Sequence, residues 1–240
     1  PHRLRPSPSG AATGALAARA AAVTSSLIHR NALKASGAGR PGPVLEPLLV
    51  VLDLDETLLH ATLLGVGDWR GGGELPDWVP TRIAQPTVDF VAEGNGLILG
   101  LAEDIPLHVS LRPGAAEFVE WLSQAPGIEL AVYTAGTPAY ARQTLARLGL
   151  GHLDRVLFRD ECVPFGLPIT KDLTKLRCDL SRVVLVDNDA RNFWLQADNG
   201  LLVSDWVGRD PSDRELCRVR AVLEELADAG DVRATLSSLR

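Results

Sequence analysis

The stretch LLVVLDLDETLLH, residues 48–60, decides the fold of this chain. Its first five residues, Leu48 to Leu52, form an unbroken run of leucine and valine, which is typical of a strand buried on both faces of a parallel sheet. Asp53 and Asp55 follow directly. Residues two apart on a strand point to the same face, so we expect the two carboxylates to lie side by side where this strand ends.

The two carboxylates pose an electrostatic problem. Because two anions held this close repel each other, either one of them is protonated or both share a cation. A simpler alternative is that the pair caps a turn or a helix. The choice between catalysis and capping depends on which side chains the other strands bring to the same edge of the sheet.

Downstream of residue 47, short apolar runs alternate with amphipathic segments. Strands are predicted at 128–136, 155–158, 182–187 and 200–203, and helices at 112–124, 138–148 and 213–229. Strands that alternate with helices imply an α/β fold with a doubly wound parallel sheet. Ligands of such sheets bind at the carboxyl ends of the strands.

Polar side chains stand at the carboxyl ends of three predicted strands, and a lysine lies between the last two. Besides the first two acids they are Thr134, Lys171, Asp187 and Asn188. Capping explains a single pair, but it does not explain acidic, hydroxyl, amide and ammonium groups that converge on one edge of a sheet. We therefore interpret the set as an active site.

These groups suit the transfer of a phosphoryl group. Asp53, Asp187 and Asn188 offer hard oxygen ligands for an octahedral Mg²⁺ ion that keeps several waters. Thr134 and Lys171 offer a hydroxyl and an ammonium for the phosphoryl oxygens, over which negative charge spreads in the transition state. The residue types therefore predict metal-assisted phosphoryl transfer.

The first two carboxylates would divide this reaction between them. Asp53 is the candidate nucleophile, because attack on phosphorus forms an aspartyl-phosphate and splits one displacement into two. Asp55 is the candidate acid-base residue, which protonates the leaving alkoxide and then accepts a proton from the hydrolytic water. This division requires a raised pKa for Asp55, while the metal and Lys171 keep Asp53 ionised.

Six motifs follow one another along the chain: DLDETLLH, LRPGAAEFVEWL, VYTAGTPAYA, FRDECV, TKDLTKL and VVLVDNDARNF. In this order and spacing they resemble the DxDxT phosphatases of the haloacid dehalogenase superfamily. More narrowly, they resemble the small C-terminal-domain phosphatases of RNA polymerase II and the dullard-type, NLI-interacting-factor-like phosphatases. The resemblance runs from about residue 48 to the end of the chain.

The resemblance implies a Mg²⁺-dependent protein serine/threonine phosphatase that acts on phosphopeptides through an aspartyl-phosphate. Asp53 maps onto the family's nucleophile and Asp55 onto its acid-base residue. Asp53, Asp55 and Asn188 map onto the metal site. The expected partner is a phosphorylated protein, with the C-terminal domain of RNA polymerase II as a candidate.

Four residues take phosphate-binding or supporting roles from the same resemblance. The family's phosphate-binding threonine and lysine fall on Thr134 and Lys171. Asp187 lies beside the metal ligands in a supporting role. Thr57, the third motif residue, is expected to order the loop rather than to perform chemistry.

About fifty residues lie between Thr57 and Leu111, where a connection from strand to helix usually takes only about two to six. The resemblance implies that residues 60–110 form an inserted small β element, which stands beside the active site and helps to choose the substrate. Trp69 and Trp78 would offer either an apolar pocket for a peptide or the core of the element itself.

The first 45 residues differ in composition from the rest. They carry six basic and no acidic residues and are rich in alanine, glycine, serine and proline, so we expect disorder there. The segment is either an unspecific basic tail or an organellar targeting segment, because transit peptides share this composition. Residues 46–240 would then form the phosphatase domain.

Charge, hydropathy and cysteine content narrow the partners and the location. Outside the tail the chain has 18 basic and 30 acidic residues, so we expect no direct binding to nucleic acid. No apolar stretch approaches the roughly 20 residues that span a bilayer, so we expect no membrane span in this segment. Three irregularly spaced cysteines suggest a reducing compartment. We therefore expect an intracellular protein of the nucleus or cytoplasm, or of an organelle if the tail is a transit peptide.

One alternative comes from a different functional class. The receptor subunit of the mitochondrial inner-membrane import translocase also resembles these phosphatases, so a phosphatase-like binding protein is the competing hypothesis. The basic tail favours this receptor hypothesis. The complete set of active-site residues favours catalysis, which analogy of fold alone would not justify.

Overall fold

The computed structural model describes residues 45–63, 89–94, 105–164 and 169–239. They lie within one compact unit, Leu45–Arg240. The expected tail lies outside the described residues apart from residue 45, and so do Trp69 and Trp78. Within the described ranges, no helix is long and apolar enough to cross a membrane.

A five-stranded parallel sheet forms the centre of this unit. Numbered along the chain and given in spatial order, its strands are β10 (Gly200–Leu202), β9 (Val183–Asp187), β1 (Leu48–Leu52), β5 (Ile128–Tyr133) and β6 (Val156–Leu157). Strand β1 lies in the middle, and all five of its side chains are buried. The structure therefore confirms the predicted parallel sheet and its first strand.

Strand β1 separates two apolar clusters, as its uninterrupted hydrophobic sequence requires. Leu48, Val50 and Leu52 belong to a cluster with four α-helices. These helices are α1 (Ala115–Gln124), α2 (Pro138–Arg147), α3 (Glu215–Ala227) and α4 (Val232–Ser238). Leu49 and Val51 belong to the cluster on the opposite face, with residues of two 3₁₀ segments, Leu173–Lys175 and Ala190–Asn199. Both faces of the sheet are thus covered.

Three antiparallel strands confirm the β insertion after the first strand. They are β2 (Leu59–Leu63), β3 (Phe90–Gly94) and β4 (Ile105–Leu111), in the order β2-β4-β3. Buried and exposed residues alternate along β3, as expected for a sheet with one face on the core. A short hairpin of β7 (Val163–Pro164) and β8 (Ile169–Thr170), which sequence did not predict, leads into Lys171.

The first helix begins at Ala115, three residues later than predicted. Gly114 adopts a left-handed φ of 80° before α1, and the Arg112 side chain turns away to hold two loops. Its buried guanidinium donates two hydrogen bonds of 2.8 Å to Asp213, two of 2.9 Å to Ser204 and one of 3.1 Å to the Thr57 carbonyl. All five N–H donors of the group are used.

Replacement of Arg112 by Met should destabilise the protein strongly. The substitution leaves the Asp213 carboxylate, only 14% exposed, without its cation, and removing one partner of such a pair costs about 3 to 5 kcal/mol. Urea denaturation measures the loss. The double variant Arg112→Met/Asp213→Leu should lose less, because both charges are removed together.

Arg155→Met is the matched surface control. Arg155 pairs with Glu129, and both side chains are at least one-third exposed, so the expected change is at most about 1 kcal/mol. Equal stability of the Arg112→Met and Arg155→Met proteins would contradict the structural role of Arg112.

Candidate active site

Asp53 and Asp187 leave the central sheet side by side. The register pairs Leu52 of β1 with Val186 of β9, and the Asp53 N–H donates to the Val186 carbonyl at 3.1 Å. Asp55 lies beyond the end of β1, in the following turn. The sequence predicted that the two acids of the first motif share one face of a strand. Because β1 ends at Leu52, before both of them, they do not, and each acid contacts a different partner.

A tight turn follows β1 and determines where Thr57 lies. The N–H groups of residues 57–59 all donate to the Leu54 carbonyl, at 3.3, 2.8 and 3.2 Å. Glu56 takes a φ of 58° to make the turn, a conformation that costs a non-glycine residue on the order of 1 to 3 kcal/mol. The turn thereby returns the Thr57 hydroxyl to Asp53.

Lys171 is the central cation of the site. Its side chain is fully buried, and its Nζ donates to Asp53 Oδ1 at 2.5 Å and to Asp187 Oδ2 at 2.7 Å. Its backbone N–H donates to the Asn192 carbonyl at 2.8 Å, which fixes the start of the side chain. Burial alone would lower the pKa of Lys171, but the carboxylates of Asp187 and Asp53 outweigh burial and raise it. Lys171 therefore stays charged.

Several neighbouring groups shift the pKa of Asp53 in opposite directions. Burial raises its pKa, Lys171 lowers it, and the neighbouring carboxylates of Asp187 and Asp55 raise it again. The net direction is upward. One ammonium thus pairs with two carboxylates, and a second source of positive charge would favour the ionised form of Asp53 that a nucleophile requires.

Asp187 is held on both of its oxygens. Asn192 Nδ2 donates to Oδ1 at 2.9 Å and to Oδ2 at 3.0 Å, and the Asp189 N–H donates to Oδ1 at 2.8 Å. With Lys171 on Oδ2, four hydrogen bonds fix a side chain that is completely buried. These contacts hold the Asp187 carboxylate against the Lys171 ammonium.

Thr57 and Asn188 complete the surroundings of Asp53. The Thr57 hydroxyl lies 3.2 Å from Asp53 Oδ2 and 3.3 Å from Asn188 Oδ1. Asn188 Nδ2 donates to Asp205 Oδ1 at 2.9 Å, which leaves the amide oxygen to accept from Thr57. Two oxygen groups from different strand ends therefore lie around the same threonine hydroxyl.

Asp55 has a partner that sequence reasoning missed. Tyr140, in the first turn of α2, donates its hydroxyl to Asp55 Oδ1 at 2.5 Å. Burial raises the pKa of Asp55 to about 6, although the hydrogen bond from Tyr140 opposes this shift. The tyrosine itself stays protonated, because burial and the neighbouring Asp55 raise its own pKa far above the usual value. The two acids thus have distinct environments, which is how paired catalytic carboxyl groups acquire different roles.

Thr134 is the first residue after β5, the strand that pairs with β1. Val132 of β5 pairs with Leu52, the residue before Asp53, and Thr134 follows two residues later. Its buried hydroxyl accepts a hydrogen bond from the Gly136 N–H at 2.9 Å. The structure therefore brings Thr134 to the expected edge of the sheet.

Tyr140 and Asn192 are the two site residues that the sequence reading did not identify. In the sequence, Tyr140 was interpreted only as part of an amphipathic helix, although that helix directly follows the strand end that carries Thr134. Asn192 lies in the motif VVLVDNDARNF, five residues after Asp187. In both cases the signal was proximity to a predicted strand end, which does not tell where a side chain points.

A family model described as NLI interacting factor-like phosphatase matches residues 48–233. CTD small phosphatase-like protein 2 of Dictyostelium discoideum is 30% identical over 185 residues, 77% of this chain and 28% of that protein. CTD nuclear envelope phosphatase 1 of Xenopus tropicalis is 31% identical over 193 residues, 79% of this chain and 71% of that protein. A solved structure of Fcp1, an essential RNA polymerase II CTD phosphatase, shares 27% identity at a TM-score of 0.45, covering 75% of this chain and 49% of that one.

The lengths of the relatives differ from that of this chain. It spans 28%, 54% and 57% of three of the curated relatives it matches. The similarity therefore concerns the part of each relative that corresponds to the compact unit described above.

Lys171→Met should destabilise the protein by about 3 to 5 kcal/mol at neutral pH, because two buried carboxylates lose their shared cation. Urea denaturation measures this loss. Adding Asp187→Asn to Lys171→Met should restore part of it, because one of the two repelling charges is then removed.

Lys175→Met is the control on the same segment. Lys175 is exposed and donates to the Glu161 carbonyl at 2.6 Å, so its replacement should change stability by no more than about 1 kcal/mol. If Lys171→Met were as stable as this control, the ammonium would not be the central cation of the site.

Proposed function

This chain belongs to the family of NLI interacting factor-like phosphatases, and on that basis we propose that it is a Mg²⁺-dependent protein serine/threonine phosphatase. The observation that carries the proposal is the separation of the two acids of the first motif. Asp53 is bound to the Lys171 ammonium, whereas Asp55 is bound to the Tyr140 hydroxyl. One acid is thereby suited to attack, and the other to proton transfer.

Asp53 would attack the phosphorus atom of the substrate. An Asp53 oxygen forms a bond to phosphorus while the bond from phosphorus to the serine or threonine oxygen breaks, and the product is an aspartyl-phosphate. Lys171 holds Asp53 Oδ1 at 2.5 Å, and Thr57 contacts the other oxygen at 3.2 Å. These contacts fix the direction of the nucleophile before substrate arrives.

Lys171 and Thr134 would bind the transferred group. In the proposed complex the Lys171 ammonium, held in place by Asp187, balances negative charge on the phosphoryl oxygens. The Thr134 hydroxyl accepts from Gly136 and can donate its own proton to a phosphoryl oxygen. Donors fixed in advance stabilise the transition state because they need little reorganisation during the reaction.

Asp55 would act as the acid and then as the base. Its carboxyl proton passes to the leaving alkoxide while the bond to phosphorus breaks, and the resulting carboxylate later takes a proton from the water that attacks the aspartyl-phosphate. A pKa of about 6, raised by burial, supports a carboxyl group that both gives and takes a proton near neutral pH.

The donor set fits a magnesium ion. The carboxylates of Asp53 and Asp187 share the single ammonium of Lys171, which leaves a net negative charge that favours a bound cation. Asp53, Asp55 and Asn188 are the residues proposed to hold it, Asp55 through its main-chain carbonyl because its carboxyl group is needed for proton transfer. When bound, Mg²⁺ supplies positive charge that stabilises the transferring phosphoryl group.

The proposed ion would rely on few protein ligands. No group of three His, Cys, Asp or Glu side chains in the described part of the chain is arranged to hold a metal. An amide oxygen, a backbone carbonyl and waters would therefore complete the coordination, which is the way Mg²⁺ is usually bound in phosphoryl-transfer sites.

The proposed substrate is a phosphorylated protein. Peptides from the C-terminal domain of RNA polymerase II are the first candidates, because relatives of this chain are named CTD phosphatases. The comparisons give no support to the alternative, a phosphatase-like receptor subunit of the mitochondrial inner-membrane import translocase. Conversion of substrate by the purified protein distinguishes the two hypotheses.

The full 240-residue chain should hydrolyse p-nitrophenyl phosphate in the presence of Mg²⁺, and EDTA should abolish the reaction. Asp53→Asn should be inactive, because an amide does not replace the carboxylate nucleophile. Release of p-nitrophenol measures both. A folded wild-type protein without activity, or an active Asp53→Asn protein, would contradict the proposed function.

Asp55→Asn should slow the hydrolysis of a phosphoserine peptide by a factor of about 10² to 10⁴, the range expected for loss of a general acid. Mg²⁺ binding, measured by calorimetry, should persist because residue 55 keeps its main-chain carbonyl. Asp205→Asn offers a comparison, since it changes a residue that contacts Asn188 but not Asp55. An unchanged rate in Asp55→Asn would exclude Asp55 as the acid-base residue.

A further inference from the structure

Tyr140 occupies one oxygen of the proposed general acid. Its hydroxyl donates to Asp55 Oδ1 at 2.5 Å, the short range of hydrogen bonds with a charged acceptor. When Asp55 is protonated, the oxygen that accepts from a phenol is the carbonyl oxygen, so the acidic proton resides on Oδ2. The tyrosine therefore determines which carboxyl oxygen is available for proton transfer.

Two glycines allow Tyr140 to lie where it does. A Cβ atom on Gly136 would come within 3.0 Å of the tyrosine ring, and one on Gly94 would lie 2.6 Å from the Tyr140 Cβ. Gly94 also has a φ of 145°, which L-amino-acid side chains rarely adopt. The ring is completely buried between them. A tyrosine enclosed in this way has little freedom to move its hydroxyl away from Asp55.

The helix that carries Tyr140 is fixed to the inserted sheet. The Gln143 amide accepts from the Glu93 N–H at 3.2 Å and donates to the Glu93 carbonyl at 2.7 Å, so it pairs with strand β3 as a neighbouring strand would. One turn later, the Arg147 guanidinium lies 5.6 Å from the centre of the Phe90 ring. The inserted sheet thereby supports the helix from which Tyr140 reaches Asp55.

We propose that Tyr140 is a positioning residue that holds the Asp55 carboxyl group so that Oδ2 delivers its proton to the leaving oxygen of the substrate. This inference rests on the proposed function. In the first step an Asp53 oxygen bonds to phosphorus, the bond from phosphorus to the leaving oxygen breaks, and the proton on Asp55 Oδ2 moves to that oxygen. In the second, water attacks phosphorus, its proton returns to Oδ2, and phosphate leaves Asp53. Tyr140 keeps its own proton throughout.

A packing role is the competing explanation, since Tyr140 belongs to the apolar cluster of the α-helices. Leaving-group basicity separates the two roles. A nitrophenolate leaves readily without a proton, whereas a more basic phenolate depends on the general acid. Loss of packing would slow all aryl phosphates by a similar factor. Loss of positioning would slow those with basic leaving groups most.

The chain provides a matched control, because it has two tyrosines. Tyr133 is also buried, and its hydroxyl donates a hydrogen bond of the same length, 2.5 Å, but to the Glu161 carbonyl. Tyr133→Phe and Tyr140→Phe remove the same atom at two places near the site. Circular dichroism and thermal denaturation establish that both variants retain the fold.

The experiment measures kcat/KM of the full chain with Mg²⁺ on a series from p-nitrophenyl phosphate to phenyl phosphate. Tyr140→Phe should lose about 10- to 100-fold more on phenyl phosphate than on p-nitrophenyl phosphate, as expected when a hydrogen bond to a charged group is removed. Tyr133→Phe should change the whole series by one common factor. An equal loss of Tyr140→Phe on all substrates, or no loss, would overturn the inference.

A double variant shows whether Tyr140 acts through Asp55. In the Asp55→Asn background the further change Tyr140→Phe should have little effect on phenyl phosphate, because residues that act as one unit are not additive. Independent, multiplicative losses would exclude the positioning role. If the wild-type chain hydrolysed no member of the series, the proposed function itself would fail, and this inference with it. If the wild-type chain were active but Tyr140→Phe lost the same factor on every substrate, only this inference would be overturned, and the proposed function would stand.

Discussion

The Lys171 ammonium, buried between the carboxylates of Asp53 and Asp187, is the interaction on which the rest of the site depends. It joins the ends of β1 and β9 to the segment that follows β8, three parts of the chain that are distant in sequence. A buried ammonium is tolerated only when its charge is balanced, and the two acids that balance it are themselves fixed by the sheet. The position of Asp53, the proposed nucleophile, is therefore fixed by the buried ion pairs of Lys171.

A second constraint separates the roles of the two acids in the first motif. Asp53 faces a permanent cation, whereas Asp55 faces a neutral hydroxyl donor in a buried position. The difference arises because β1 ends before Asp53, and the tight turn sends the following side chain toward α2. The spacing DxD alone does not create it. Neighbouring elements supply the ammonium from one side of the sheet and the phenol from the other.

The sequence was informative wherever the signal was local. The apolar run of β1 and the polar residues at the strand ends follow from short stretches, whereas the inserted sheet was expected from the resemblance and from the long gap between Thr57 and Leu111. Tyr140 was not identified because a tyrosine on an amphipathic helix points to the core in most proteins, and its hydroxyl finds Asp55 only through the packing of α2 on the sheet. Asn192 was missed because the sequence does not show that the first turn of the 3₁₀ segment brings its amide to Asp187.

The mechanism proposed for this site has Asp53 carry the phosphoryl group and Asp55 move the proton. It is tested most directly by mixing the Asp55→Asn protein with Mg²⁺ and p-nitrophenyl phosphate, quenching in acid and mapping phosphorylated peptides by mass spectrometry. The leaving group needs little acid catalysis and the base for hydrolysis is missing, so an acyl phosphate should accumulate on Asp53 and disappear with hydroxylamine. Turnover without any adduct, or an adduct on another residue, would exclude Asp53 as the residue that carries the phosphoryl group.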